Sequence, residues 1–167
     1  MFDLSSISNL IADSALGLGG SDLAWHQAEF CPYVRDDGTP CYDETRGSPW
    51  MECPICGGRG AIYKSPRYNR GIYTDNSNKF FPDGSGGFMR GNKTLSLPRD
   101  LPLKLLKSRN TQDARRLLRD KFQLLGPCCN PDGSREIAET LYMIEDPVKP
   151  TINSGTIYQT VIVENNY

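Results

Sequence analysis

The sequence predicts a mainly β fold: a small antiparallel β-barrel or sandwich with an N-terminal helix, one inserted helix and a four-cysteine excursion. Three observations predict it. Runs at 137–145 and 156–164 read as strands, the second rich in β-branched residues. The chain carries 16 Gly and 12 Pro among 167 residues, enough punctuation for many loops. Four of its six cysteines, Cys31, Cys41, Cys53 and Cys56, fall in one short window.

The elements follow in order. Residues 5–16 place Ile7, Leu10 and Ile11 at helical spacing, with Asp3 or Ser5 as cap and Gly17, Gly19 and Gly20 as the stop. This helix either packs on its own domain or serves as an arm on a neighbouring subunit. Residues 23–30 alternate loosely around Trp25 and read as a strand entering the cysteine window. Turn signals at 36–40 and 46–49 make two loops that each return the chain. Short strands are predicted at 60–65 and 71–74. A Gly/Asn/Asp/Ser stretch at 75–92, holding Phe80, Phe81 and Phe88, reads as a long loop. Residues 93–97 put Leu95 and Leu97 on one strand face. Asn110 or Thr111 can cap a helix running to about Asp120, and a strand follows at 121–125. Residues 126–133 read as a turn. The expected organisation is a helical arm and hinge at 1–20, then a single β-rich domain at 21–167 with a metal-binding insertion at about 31–60.

The window closes with Cys53-Pro54-Ile55-Cys56-Gly57-Gly58-Arg59-Gly60, the form of a zinc knuckle. A tight turn aims both thiolates at one ion, and glycines let backbone N–H groups reach the sulfurs without a Cβ clash. Cys31 and Cys41 complete a four-thiolate set despite their wider spacing, because ligand geometry does not limit the loops between ligands. His26, the single histidine, reads as a strand side chain and stands in reserve should Cys41 not ligate. Adjacent Cys128 and Cys129 read as free thiols, with one of them replacing Cys31 or Cys41 as the lesser alternative. Four thiolates fill the coordination sphere, so the expected zinc is structural and not catalytic. No His-Glu-x-x-His, deaminase pattern, Walker loop or nucleophile elbow occurs, and no enzymatic activity is expected.

With 38% hydrophobic residues the core is thin, and a metal staple suits such a chain. No apolar run is long enough to cross a bilayer. The first 18 residues lack the basic n-region of a secretory signal, so folding in a reducing cytoplasm is expected. Three disulfides in a secreted protein are the rival reading.

Net charge is -1, yet ten basic residues against three acidic ones occupy 89–121. Lys104, Lys107, Arg109, Arg115, Arg116 and Arg119 are the candidate residues facing nucleic acid. Contacts would go to phosphate without reading sequence, since no aromatic is interleaved for stacking. The plain alternative is a solvated helix face.

The order of features resembles neck proteins of tailed bacteriophages, of the head-completion or head–tail connector type. The features are an N-terminal helix, a strand, an insertion holding Cys41-Tyr42-Asp43 and the knuckle at 53–60, and Leu95-Ser96-Leu97-Pro98-Arg99-Asp100-Leu101-Pro102-Leu103. The likeness covers roughly 23–146. The first cysteine pair is more widely spaced than in that pattern, and a basic stretch interrupts it after Leu103. The resemblance implies a structural virion protein, made in the host cytoplasm. It would form a homo-oligomeric ring around the DNA channel between portal or adaptor and tail proteins. A zinc-knuckle nucleic-acid-binding or regulatory module is the alternative.

Overall fold

The structure, a computed structural model, describes residues 19–43, 48–76, 78–82, 88–103, 119–149, 151–152, 155–156 and 159–165. The expected helix at 5–16, and nearly all of the one expected between 110 and 120, lie outside them. Every element formed by the described residues is a strand. The mainly β class is therefore shown. Among the described residues no helix is long and apolar enough to cross a membrane.

The chain enters through β1 (Ser21–His26) and, after Gln27, β2 (Ala28–Phe30). The short strands β3 (Tyr42–Asp43) and β4 (Ser48–Pro49) pair with each other inside the cysteine excursion. Strand β5 (Ala61–Tyr63) returns beside β2, pairing Ala28 with Tyr63 and Phe30 with Ala61, so a ladder closes the base of the excursion. Strand β6 (Arg67–Asp75) follows, then the hairpin of β7 (Phe80–Pro82) and β8 (Phe88–Arg90), then β9 (Lys93–Leu97). After the basic stretch come β10 (Lys121–Cys129) and β11 (Arg135–Met143). Two-residue strands β12 (Thr151–Ile152) and β13 (Gly155–Thr156) precede β14 (Gln159–Asn165). Six of these strands form one antiparallel sheet in the order β1-β10-β11-β14-β9-β6, and β6 pairs back onto β1.

Side chains alternate across a strand with period two, and the buried residues follow that rule. Leu23 and Trp25 of β1, Leu95 and Leu97 of β9, Phe122 and Leu124 of β10, Leu141 and Met143 of β11, and Val161 and Val163 of β14 form one cluster. Leu101 and Leu103 cover it from the 98–103 segment. Gln159 holds that segment: its buried amide donates to the carbonyls of Pro98, Arg99 and Leu101 at 3.0, 2.9 and 2.6 Å. Lys93 shares a face of β9 with Leu95 and Leu97. It pairs with Glu139 at 2.9 Å and Asp75 at 3.6 Å, while Tyr73 donates to Glu139 at 3.4 Å. Neutralising contacts let these ionised groups border the apolar interior.

Strand β6 leaves room for its neighbours at Gly71. A Cβ there would lie 2.7 Å from Leu23 Cδ2 and 3.0 Å from both Leu97 Cδ2 and the Ser96 carbonyl oxygen. Gly71→Val overpacks this point, and we expect a loss of about 1–3 kcal/mol in urea denaturation. An unchanged midpoint would show that the interior has slack there.

Three expectations are corrected. The stretch at 75–92 is not one long loop, because β7 and β8 pair within it, Phe81 opposite Met89. Residues 126–129 are not a turn: β10 continues through them with register shifts after Leu124 and Leu125, and the turn begins at Asn130. Pro127 has no N–H for a regular ladder, and such irregularities accommodate it. Arg119 and Asp120 are not the end of a helix but lead directly into β10.

Candidate metal centre

Cys31 and Cys41 meet through a small hairpin. Arg35 N–H donates to Thr39 O at 2.9 Å, Gly38 N–H to Arg35 O at 2.9 Å, and Cys41 N–H to Tyr33 O at 2.8 Å. Val34 faces Pro40 across it. The wide spacing in sequence is thus folded back on itself. The second pair sits on the knuckle turn, where Gly57 N–H reaches Cys53 O at 2.8 Å. Gly60 N–H donates to Cys56 Sγ at 3.2 Å, the approach that the glycine-rich spacing predicts. Gly58 has φ +80°, and a Cβ there would stand 2.6 Å from the Met51 carbonyl oxygen. Both conditions exclude larger residues. Cys31 N–H donates to Gly60 O at 3.0 Å and Trp50 N–H to Cys41 O at 2.7 Å, tying the two halves together.

All four sulfurs lie within 4.8 Å of one another, and all four residues are buried. Cys31 and Cys53 sulfurs are 3.7 Å apart, and those of Cys41 and Cys56 are 3.5 Å apart. A tetrahedral ion with metal–sulfur bonds of about 2.3 Å requires sulfur–sulfur edges of about 3.8 Å. A disulfide requires about 2.05 Å. The geometry fits a four-thiolate metal site and not a pair of disulfides. Tyr33, Trp50 and Ile62 pack against the cluster, and Tyr33 stacks on Trp50 at 5.6 Å between centroids.

The thiols differ in character. Burial pushes Cys31 and Cys41 up, and at Cys41 the other three cysteines add to the rise. At Cys53 burial acts in the same direction but is outweighed by the backbone N–H groups of Cys56 and Ile55 and by Cys41 and Cys56, which bring it down to about 6. Four neighbouring thiolates repel one another, so full ionisation here calls for a cation in their midst.

The other expected site residues are placed as follows. His26 is not at the cluster: its Nε2 is 2.8 Å from Gln123 Oε1, and its ring stands edge-on to Tyr63. Cys128 and Cys129 belong to the backbone of β10. Among the described residues the cluster consists of Cys31, Cys41, Cys53 and Cys56. Lys104, Lys107, Arg109, Arg115 and Arg116 lie outside the described residues. Arg119 is described, and it forms an ion pair with Glu164 of β14.

Sequence reasoning missed Asp120. This carboxylate is buried and accepts from Trp25 Nε1–H and from Ala28 N–H, both at 2.8 Å. It therefore fixes the break between β1 and β2, where the sheet gives way to the excursion. Its partners are 95 and 92 residues away, so no local pattern could reveal it.

No protein-family model matches the chain, and no curated protein matches it.

Proposed function

We propose that the four cysteines hold a structural zinc ion in a non-enzymatic virion protein of a tailed-phage neck. The protein would be one subunit of a homo-oligomeric ring that joins portal and head to tail around the DNA channel. The observation that carries this reading is the buried four-sulfur cluster on an excursion from a small antiparallel sheet. That arrangement agrees with what the resemblance to neck proteins implies. Zinc suits the donor set because it is tetrahedral, redox-inert and content with four thiolates. Such a site leaves no open position for water or substrate, so its work is to staple the excursion.

Elemental analysis should find one zinc per chain. Light scattering and negative-stain images should show a closed ring of identical subunits, the form a heterologous interface takes when its rotation closes. A chain that stays monomeric at high concentration yet retards a DNA probe would point to the nucleic-acid-binding module instead.

A further inference from the structure

The seam between the sheet and the cysteine excursion holds a groove of about 610 Å³, lined by Trp25, Gln27, Tyr63, Ser65 and Arg67 among others. Its aromatic groups already carry cations. The Arg67 guanidinium lies 5.7 Å from the centroid of Trp25, and Lys121 Nζ lies 4.8 Å from that of Tyr63. Arg59 is held on the knuckle turn beside this seam's β5, its Nε donating to the Cys56 carbonyl at 3.0 Å. Burial first and then the nearby charge of Arg59 push the Lys121 ammonium down, so the two cations repel each other. No carboxylate among the described residues pairs with Arg59, Arg67 or Lys121. Lys64, Arg70, Lys93, Arg119 and Arg135 each have such a partner.

We infer that Arg59, Arg67 and Lys121 form a phosphate-binding surface for the backbone of nucleic acid. An anion relieves the repulsion that the fold builds into this seam. Phosphate fits better than a base, because Trp25 is buried and Lys121 already stands over the Tyr63 ring. Contacts of this kind carry no sequence information and weaken with salt. Arg59 and Arg67 fall outside the basic stretch that the sequence singles out, and Lys121 is its last member. The inference does not depend on the ring, since a monomer could use the same surface.

The test is anisotropy of a short labelled DNA duplex titrated with the metal-loaded full chain between about 50 and 200 mM salt. The Arg59→Gln/Arg67→Gln/Lys121→Gln variant should bind at least about tenfold more weakly, and its slope of log K on log salt should fall by about 2–3. A control variant, Lys79→Gln/Arg99→Gln/Lys149→Gln, changes net charge equally at other exposed positions and should bind nearly as the wild type does. Melting temperature and metal content verify the fold. If the triple variant fails that check, Arg67→Gln alone should lower the slope by about 1. No binding by the wild type at low salt, equal losses in both triple variants, or an unchanged Arg67→Gln slope would overturn the inference. Light scattering on the same samples separates this result from the ring: groove-dependent binding by a monomer keeps the surface and rejects the ring, and a ring without it does the reverse.

Discussion

Cys56→Ser is expected to abolish stoichiometric metal binding and to release residues 31–60 from protection in hydrogen exchange while the six-stranded sheet stays protected. Cys56 is buried, accepts a hydrogen bond from Gly60 and lies 3.5 Å from the sulfur of Cys41. A serine hydroxyl is a shorter and harder ligand that a thiophilic ion binds poorly. Among the described residues the excursion has short ladders but no second apolar core. Its core is the cysteines themselves with Tyr33, Trp50 and Ile62 beside them, separate from the main apolar cluster. Structural zinc contributes about 10–16 kcal/mol in isolated zinc-finger peptides, so losing even a third of that should unfold so small a unit. A chelator should reproduce the effect in the wild type. Full metal content and undiminished protection in Cys56→Ser would remove the cluster from the list of metal sites.

Acid should act in the same direction. Metal binding requires thiolates, so protons compete with the ion. Cys53 is brought down to about 6 from an ordinary value of 9. A lowered value means that the stabilising contribution of this thiolate is present above pH 9 and is lost as pH falls through about 6. Metal release, followed by a chromophoric zinc indicator, should therefore increase as pH falls, and a release that does not change with pH would mean that protons do not compete for these sulfurs.

What could be read from the chain alone was whatever lay close together in it. The knuckle at 53–60 is local, and the structure builds it with Gly60 N–H on the Cys56 sulfur. Leu95 and Leu97 alternate with polar neighbours, and they do enter the core. The errors came where local signals were ambiguous. Gly126 and Pro127 look like a turn, yet β10 absorbs them through shifts in register. Between the short strands β7 and β8 the sequence runs through Asp, Gly and Ser, and that composition hides the pairing of the two strands. Gln159, inside an otherwise β-branched run, gives no sign that it clasps three carbonyls some 60 residues earlier. Such groups become visible only when distant segments meet.

Asp120 is the second position where a large effect is expected. Asp120→Ala removes the acceptor of two buried donors at once, the Trp25 indole and the Ala28 amide. Each unsatisfied donor costs about 1–3 kcal/mol, so the variant should lose roughly 2–5 kcal/mol in urea denaturation. Asp120→Asn keeps one oxygen acceptor and removes the charge, and it should lose less. The comparison also has a pH signature. Burial raises the Asp120 carboxyl above its ordinary value, and the hydrogen bonds from Ala28 and Trp25 only partly oppose this. An acid raised on folding holds its proton more tightly in the native state. Its contribution to stability is therefore fully present below the unfolded value of 3.8 and is lost as pH rises through the native value. Asp120→Asn lacks that titration, so its deficit relative to the wild type should shrink as pH climbs above the ordinary carboxylate range. Taking the difference between the two proteins at each pH cancels the shared effect of metal release. A constant difference across the series would mean that Asp120 carries the same charge in the native and unfolded chains, and that the junction between sheet and excursion is held by the two hydrogen bonds alone.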